Sequence, residues 1–99
     1  MWLLIDDIRD LGCDVTARTA EEGRAALQEY WGEIDSLCLD HDLGERESGY
    51  DVACWALERG LMPCHVQIVS MNPVGRKNIA TALEMNGYHS SDGVNFYKQ

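Results

Sequence analysis

The chain opens with Met1-Trp2-Leu3-Leu4-Ile5-Asp6-Asp7, a run of apolar residues that stops abruptly at two acids. A short, continuous apolar run is typical of a strand that is buried on both faces of a parallel sheet. Acids directly after such a strand lie at the carboxyl edge of the sheet, where open α/β folds bind their ligands. This segment therefore predicts both a central strand and the beginning of a site.

Later segments alternate between strand and helix patterns. Thr19 followed by Glu22 forms a capping box that predicts a helix start, and Gly60 and Gly87 predict helix ends. The predicted strands are Trp2–Ile5, Cys13–Arg18, Ser36–Leu39, Val66–Val69 and Val94–Tyr97, and the predicted helices cover about 20–31, Tyr50–Arg59 and Val74–Asn86. This alternation predicts an α/β fold with a parallel sheet and helices on both faces. The tryptophans fall on apolar stripes and are expected in the core: Trp2, Trp31 and Trp55.

The link between the first two predicted strands is short. About seven residues separate Asp7 from Val15, whereas a parallel crossover normally needs ~10–12 residues. The second strand is therefore expected either to follow a compact loop without a helix or to lie outside the regular sheet.

Composition limits the class of protein. The chain has 99 residues, of which 45% are hydrophobic, which predicts one folded domain over residues 1–99. The net charge is −9, and residues 1–50 carry thirteen Asp or Glu against four Lys or Arg, which argues against a duplex-DNA partner. No apolar run reaches the ~20 residues of a membrane span, and no signal-peptide pattern precedes the first strand. These features predict a cytoplasmic protein without a membrane partner.

The cysteines show no metal-binding spacing. They stand at positions 13, 38, 54 and 64, and none belongs to a C-x-x-C motif. Buried, reduced thiols are favoured over a disulfide or a zinc site.

Polar residues follow three of the predicted strands, as Asp6-Asp7, Asp40-His41-Asp42 and Ser70-Met71-Asn72. A single Asp at a strand end is more often a capping or turn residue than part of a site. Acids at two strand ends with Asn at a third favour a shared site, because these carboxylates repel one another unless they are protonated or bound to a cation. Oxygen ligands without cysteine favour Mg²⁺ or Mn²⁺.

This layout resembles the receiver domain of response regulators, and it is closer still to the cyclic-phosphate processing receiver-like domains. The resemblance covers about positions 3–88 and rests on five ordered blocks: Leu4-Ile5-Asp6-Asp7-Ile8-Arg9, Arg18-Thr19-Ala20-Glu21-Glu22, Leu39-Asp40-His41-Asp42-Leu43-Gly44, Ser48-Gly49-Tyr50-Asp51-Val52 and Asn72-Pro73-Val74-Gly75-Arg76-Lys77-Asn78-Ile79. It implies a flavodoxin-like three-layer sandwich with a mostly parallel sheet. Because the link after the first strand is short, we expect the first crossover helix to be shortened or absent. The resemblance also implies a role in handling cyclic phosphates of RNA ends or nucleotides.

The candidate residues fall into three groups. The expected metal ligands are Asp6, Asp7 and Asp40, although each is also a plausible polar end to its strand. The expected catalytic residues are His41 as acid or base, Asp40 as ligand or nucleophile, and Asp42 as a partner that orients His41. The expected phosphate contacts are Asn72, Gly75, Arg76, Asn78, Arg9 and Arg18. The two arginines early in the chain are equally able to pair with the surrounding acids.

Two positions depart from the family pattern. Val69 stands where a His usually precedes the Ser of the Asn-Pro-Val-Gly block. Lys98 is the only candidate for the Lys that ends the last strand of a receiver, and it lies one residue from the end of the sequence. The leading hypothesis is a metal-dependent phosphoesterase that acts on cyclic phosphates. The alternatives are a non-catalytic module that binds a cyclic nucleotide or a phosphorylated partner, and a receiver in which Asp40 accepts a phosphoryl group.

Overall fold

The computed structural model describes all 99 residues. Its strands are β1 (Trp2–Ile5), β2 (Val15–Ala17), β3 (Ser36–Leu39), β4 (His65–Ile68), β5 (Tyr88–His89) and β6 (Asn95–Lys98), and its helices are α1 (Ala20–Glu29), α2 (Gly49–Arg59) and α3 (Pro73–Glu84). The strands form one sheet in the order β2-β1-β3-β4-β6-β5. The α/β prediction is confirmed, but the sheet is mixed. Strands β2, β1, β3 and β4 are parallel, whereas β6 runs antiparallel to β4 and pairs with β5, a strand that the sequence analysis missed.

The short link between β1 and β2 is a loop over residues 6–14 that contains no helix. Strand β2 nevertheless pairs in parallel with β1, with Val15 opposite Leu3. The compact-loop alternative is therefore the correct one, and the expected loss of the first crossover helix is confirmed.

The three helices all lie on one face of the sheet, so the predicted three-layer sandwich with helices on both faces is wrong. Each of the connections through α1, α2 and α3 steps across the sheet in the same direction, and right-handed crossovers then place the helices on the same side. Accordingly, α1 packs against α2 and α2 packs against α3. The link between β1 and β2, which could place a helix on the other face, contains none.

The core lies between the sheet and these helices. Two rows of side chains run across the strands, formed by Leu3, Leu37, Val66 and Phe96 and by Ala17, Ile5, Leu39 and Ile68. Helix residues such as Leu27, Val52 and Ile79 pack on these rows and are fully buried. Alternate strand residues point away from the helices, because successive side chains of a strand face opposite sides.

The opposite side of the sheet, here called the open face, is covered only in part by the loop over residues 6–14. His65 stacks on Tyr97 with a ring separation of 4.6 Å and meets the edge of Trp2 at 5.5 Å. Trp2 is 40% exposed and Trp31 is 47% exposed, so the prediction that all three tryptophans lie in the core is wrong. On this side of the sheet Leu4 and Cys38 are buried, whereas Trp2 and Tyr97 are exposed.

Two further findings concern the chain as a whole. None of the helices combines the length with the apolar character that crossing a bilayer would demand. The four cysteines are free thiols, and burial, helped by the neighbouring Cys13, raises the pKa of Cys38 to about 12.

Candidate functional site

The carboxyl ends of the parallel strands bring three acids together. Asp6 follows β1 and Asp40 follows β3, and the two strands are in register because Ile5 lies opposite Leu39. One carboxylate oxygen from each of Asp6, Asp7 and Asp40 lies within 4.8 Å of the others. The structure therefore assembles the three residues that the sequence analysis singled out as metal ligands. We refer to them below as the acidic cluster.

The guanidinium of Arg9 contacts two members of the acidic cluster. Nη1 of Arg9 lies 2.8 Å from Oδ2 of Asp6 and 3.4 Å from Oδ2 of Asp40. The backbone N–H groups of Ile8 and Arg9 donate to the other oxygen of Asp6, each at 3.0 Å. Asp6 is fully buried, and both of its carboxylate oxygens accept hydrogen bonds. Arg9 therefore pairs with nearby acids, which is one of the two roles that the sequence analysis left open for it.

Hydrogen bonds and burial move the pKa values of the two buried acids in opposite directions. Burial opposes the ionisation of Asp6, but hydrogen bonds from Arg9 and Ile8 outweigh it and lower the pKa of Asp6. For Asp40, burial and the negative charge of Asp6 raise the pKa, although Arg9 and a hydrogen bond with Ser70 work against them. A second cation near Asp40 would relieve this cost, because an opposite charge favours the ionised carboxylate.

His41 belongs to a chain of polar contacts beside the acidic cluster. Its Nδ1 lies 3.0 Å from Oδ1 of Asp42, and Nδ2 of Asn72 donates to the same carboxylate at 3.4 Å. The hydrogen bond with His41 lowers the pKa of Asp42, with further help from Asn72. The amide oxygen of Asn72 caps α3 by accepting from the N–H groups of Val74 and Gly75. His41 is thus oriented by Asp42, and Asp42 is tied in turn to the first turn of α3.

Two glycines permit this arrangement. A Cβ atom at Gly75 would overlap Cγ of His41, so the imidazole rests directly on the backbone of α3. A Cβ atom at Gly49 would overlap the carbonyl oxygen of Asp40, and the N–H of Gly49 donates to the carbonyl of His41 at 2.8 Å. Larger residues at either position would push α2 or α3 away from the end of β3.

A cleft of about 430 Å³ opens along residues 41–48, next to the acidic cluster. Its lining includes His41, Asp42, Arg46 and Ser48. The loop is fastened to α1, since Arg24 pairs with Glu47 at 2.7 Å and 3.0 Å. The sequence analysis missed Arg46, an exposed cation in this cleft. Its position in a loop rich in polar residues was the only available signal.

The remaining predicted phosphate contacts are used elsewhere or face solvent. Nη1 of Arg18 donates to the carbonyl oxygens of Asp6 and Arg9 and so holds the loop over residues 6–14. Arg76 reaches the carbonyl oxygens of Ser70 and Gly93, each at 3.4 Å. Asn78 is exposed on α3. The geometry favours structural roles for both arginines.

Lys98 lies at the wrong edge of the sheet to act as the receiver Lys. Because β6 is antiparallel to β4, its carboxyl end lies beside the beginning of β4, where the N–H of Lys98 donates to the carbonyl of Cys64. Its ammonium group is 5.8 Å from the centre of the Tyr88 ring. No lysine from the last strand therefore reaches the acidic cluster.

An α/β sheet with strand order β2-β1-β3-β4, an acidic pair after β1 and a further Asp after β3 defines a receiver-like domain. The family model of the cyclic-phosphate processing receiver domain matches residues 1–85. The chain belongs to this family, which confirms the resemblance seen in its sequence motifs. No curated protein and no solved structure gives a significant match to the chain.

Proposed function

We propose that this chain, as one receiver-like domain over residues 1–99, is a metal-dependent phosphoesterase that opens cyclic phosphates of RNA ends or nucleotides. The observation that carries the proposal is the contact between His41 and Asp42, the two residues that directly follow Asp40 of the acidic cluster. Its family is associated with cyclic-phosphate processing. A histidine held by a carboxylate next to a cation site combines the groups that phosphoester hydrolysis needs.

The donors of the acidic cluster fit a hard divalent cation. Asp6, Asp7 and Asp40 offer only oxygen ligands, with one oxygen of each within 4.8 Å of the others, and no thiol lies among them. Mg²⁺ or Mn²⁺ held there would polarise a phosphoryl oxygen and lower the pKa of a bound water. Binding requires Arg9 to give up part of its contact with the two buried acids, because its guanidinium already neutralises them.

His41 is the residue best placed to move a proton. Its Nδ1 contacts Asp42, so Nε2 is the nitrogen available to a substrate in the cleft that His41 lines. In this role His41 protonates the leaving oxygen of the cyclic ester or takes a proton from the attacking water. Asp42 and Asn72 are positioning residues, since they act through the ring of His41. Arg46 is a cation in the same cleft that suits a second phosphate oxygen.

A second candidate is a non-catalytic module that binds a cyclic nucleotide or a phosphorylated partner. The specific observation in its favour is that the guanidinium of Arg9 contacts both Asp6 and Asp40 and supplies positive charge to the two buried acids. Val69 also supports it, because the family pattern has a His at this position. Such a module would bind a phosphate with Arg46 in the cleft and with the N-terminal end of α3, and it would leave the ester intact.

One experiment separates the two candidates. The protein is incubated with 2′,3′-cyclic and 3′,5′-cyclic nucleotides and with RNA that carries a 2′,3′-cyclic phosphate end, with and without Mg²⁺ or Mn²⁺. The phosphoesterase predicts a metal-dependent monoester product that chromatography resolves from the substrate. Thermal stabilisation by a cyclic nucleotide without product would support the binding module instead, and neither product nor stabilisation would contradict both.

A further inference from the structure

The largest cleft of the molecule lies on the open face of the sheet, away from the acidic cluster. It encloses about 480 Å³ between the loop over residues 6–14 and strands β1, β3 and β4. Seven residues line it: Trp2, Leu11, Gly12, Cys13, Asp14, Cys38 and Gln67. Two of the four cysteines of the chain, far apart in sequence, therefore meet in one cleft.

The two thiols differ in access to solvent and line the same cleft. Cys38 is in the middle of β3 and only 2% exposed, and its Sγ lies 3.8 Å from Oε1 of Gln67. Cys13 is half-buried near the end of the loop and lines the same cleft as Cys38. A reagent in solution can reach Cys13, whereas Cys38 is reached through Cys13.

We infer that Cys13 and Cys38 form a redox-active dithiol whose oxidation to a disulfide fastens the loop over residues 6–14 to the open face. A low-molecular-weight disulfide such as oxidised glutathione is the oxidant. The thiolate of Cys13 attacks one glutathione sulfur and releases one glutathione thiol, which leaves a mixed disulfide on Cys13. Cys38 then attacks the Cys13 sulfur and releases the second glutathione thiol. Two protein thiols are oxidised and one glutathione disulfide is reduced to two thiols.

The fold explains why a disulfide between Cys13 and Cys38 would restrict the loop over residues 6–14. The loop contains no helix and covers the part of the open face where a second helical layer is missing. A covalent link from Cys13 to β3 would fix the loop at a point near its end, while Arg18 already holds its beginning through the carbonyl oxygens of Asp6 and Arg9. The oxidised loop therefore has less freedom to open.

The test uses a Cys54→Ser/Cys64→Ser background, which removes the other two thiols and leaves the cleft unchanged. The protein is treated with oxidised glutathione, alkylated after denaturation and digested for mass spectrometry. The expected product is a peptide pair joined through Cys13 and Cys38, with no alkylated cysteine. Dithiothreitol is expected to reverse it, and the amides of residues 7–12 are expected to exchange more slowly in the oxidised form.

Two variants keep the inference falsifiable. Cys38→Ser is expected to stop at a stable glutathione adduct on Cys13, because the resolving thiol is gone. Cys13→Ser, a change at a partly exposed loop residue that leaves the core intact, is expected to protect Cys38 from glutathione. A parent that keeps a glutathione adduct on Cys13, or both thiols free, under conditions that oxidise a solvent-exposed dithiol peptide would overturn the inference. Unchanged amide exchange after complete oxidation would overturn the proposed effect on the loop.

Discussion

The imidazole ring of His41 lies directly against the backbone of Gly75, so closely that a Cβ atom at position 75 would overlap the ring. The contact joins the end of β3 to the first turn of α3, where Asn72 caps the helix and also donates to Asp42. The carboxylate of Asp42 therefore holds one side of the His41 ring, and the lack of a side chain at Gly75 leaves room for the ring on the other side. Four predictions follow from this geometry and from the contacts around it.

Gly75→Ala should displace the His41 ring without unfolding the protein. Overpacking typically costs ~1–3 kcal/mol of folding free energy, and the better helix propensity of Ala offsets up to ~1 kcal/mol of that. The ring resonances of His41 in a histidine-selective NMR spectrum should shift, whereas those of His89 should not. Val74→Ala is the matched control, because the neighbouring Val74 is 70% exposed. An unshifted His41 resonance in Gly75→Ala would contradict the packing described here.

Arg9→Gln should increase the response to metal. In the parent, the guanidinium contacts Oδ2 of Asp6 and Asp40 and would compete there with the proposed divalent cation. Its loss should lower stability without metal by ~1–3 kcal/mol, since a buried carboxylate loses a charged hydrogen bond. Addition of Mg²⁺ or Mn²⁺ should then raise the melting temperature more than it does in the parent. Differential scanning fluorimetry over a metal titration measures both effects.

Three further variants show whether the metal response of that titration comes from the acidic cluster. Asp6→Asn and Asp40→Asn should remove most of the metal response, because both belong to the acidic cluster. Arg24→Gln breaks the exposed pair with Glu47 and should leave the response unchanged. Equal metal responses in the parent, Asp6→Asn and Asp40→Asn would eliminate the shared-site proposal.

His41→Ala should lower the turnover of a cyclic phosphate by ~10²–10⁴-fold, the usual contribution of general acid–base catalysis, with a much smaller effect on KM. Asn72 needs a different substitution, because Asn72→Ala would also remove the α3 cap, which is worth ~1 kcal/mol. Asn72→Asp keeps an oxygen that caps the helix but replaces the donor to Asp42 by a carboxylate. It should weaken the hold on His41 and change the pH profile of kcat. Full activity in His41→Ala would make His41 a bystander.

Asp92 should make the turn before β6 sensitive to acid. It accepts hydrogen bonds from the backbone N–H and side chain of Asn95, from the N–H of Val94 and from Ser90, which together lower its pKa well below the ordinary value. A lowered pKa in the folded state stabilises the fold above the unfolded pKa of about 4, and this stabilisation is lost as the pH falls toward the folded value. Asp92→Asn should therefore melt below the parent at pH 7.

The melting temperatures of Asp92→Asn and the parent should converge gradually as the pH falls from about 4 toward the lower folded-state pKa of Asp92, because the unfolded chain binds the proton first and the advantage of the ionised, hydrogen-bonded carboxylate is lost. Glu84→Gln, which changes an exposed acid on α3 that accepts no side-chain hydrogen bond, is the control and should follow the parent at every pH. A constant difference between Asp92→Asn and the parent over the acid range would refute the linkage.

The sequence by itself determined the order of the main elements and the identity of the acids at the strand ends. Local signals were sufficient there: the apolar run before Asp6 and Asp7, the N-cap at Thr19 and the Asn72-Pro73 helix start each act within a few residues. Because parallel strands end at the same edge, the meeting of Asp6, Asp7 and Asp40 followed from the strand assignment. The short link between Asp7 and Val15 added the expectation that the first crossover helix is shortened or absent.

Only the tertiary structure decided how these elements are layered and how charges pair between them. The direction in which each crossover steps across the sheet put all three helices on one face and left Trp2 exposed, and no local pattern in the sequence encodes that direction. The final hairpin reversed β6, which moved Lys98 to the opposite edge from the acidic cluster. Arg9 and Arg18 are both cations near strand ends, and their different partners depend on the path of the loop between them. Such pairings are set by distances across the fold, and these exist only once the sheet has formed.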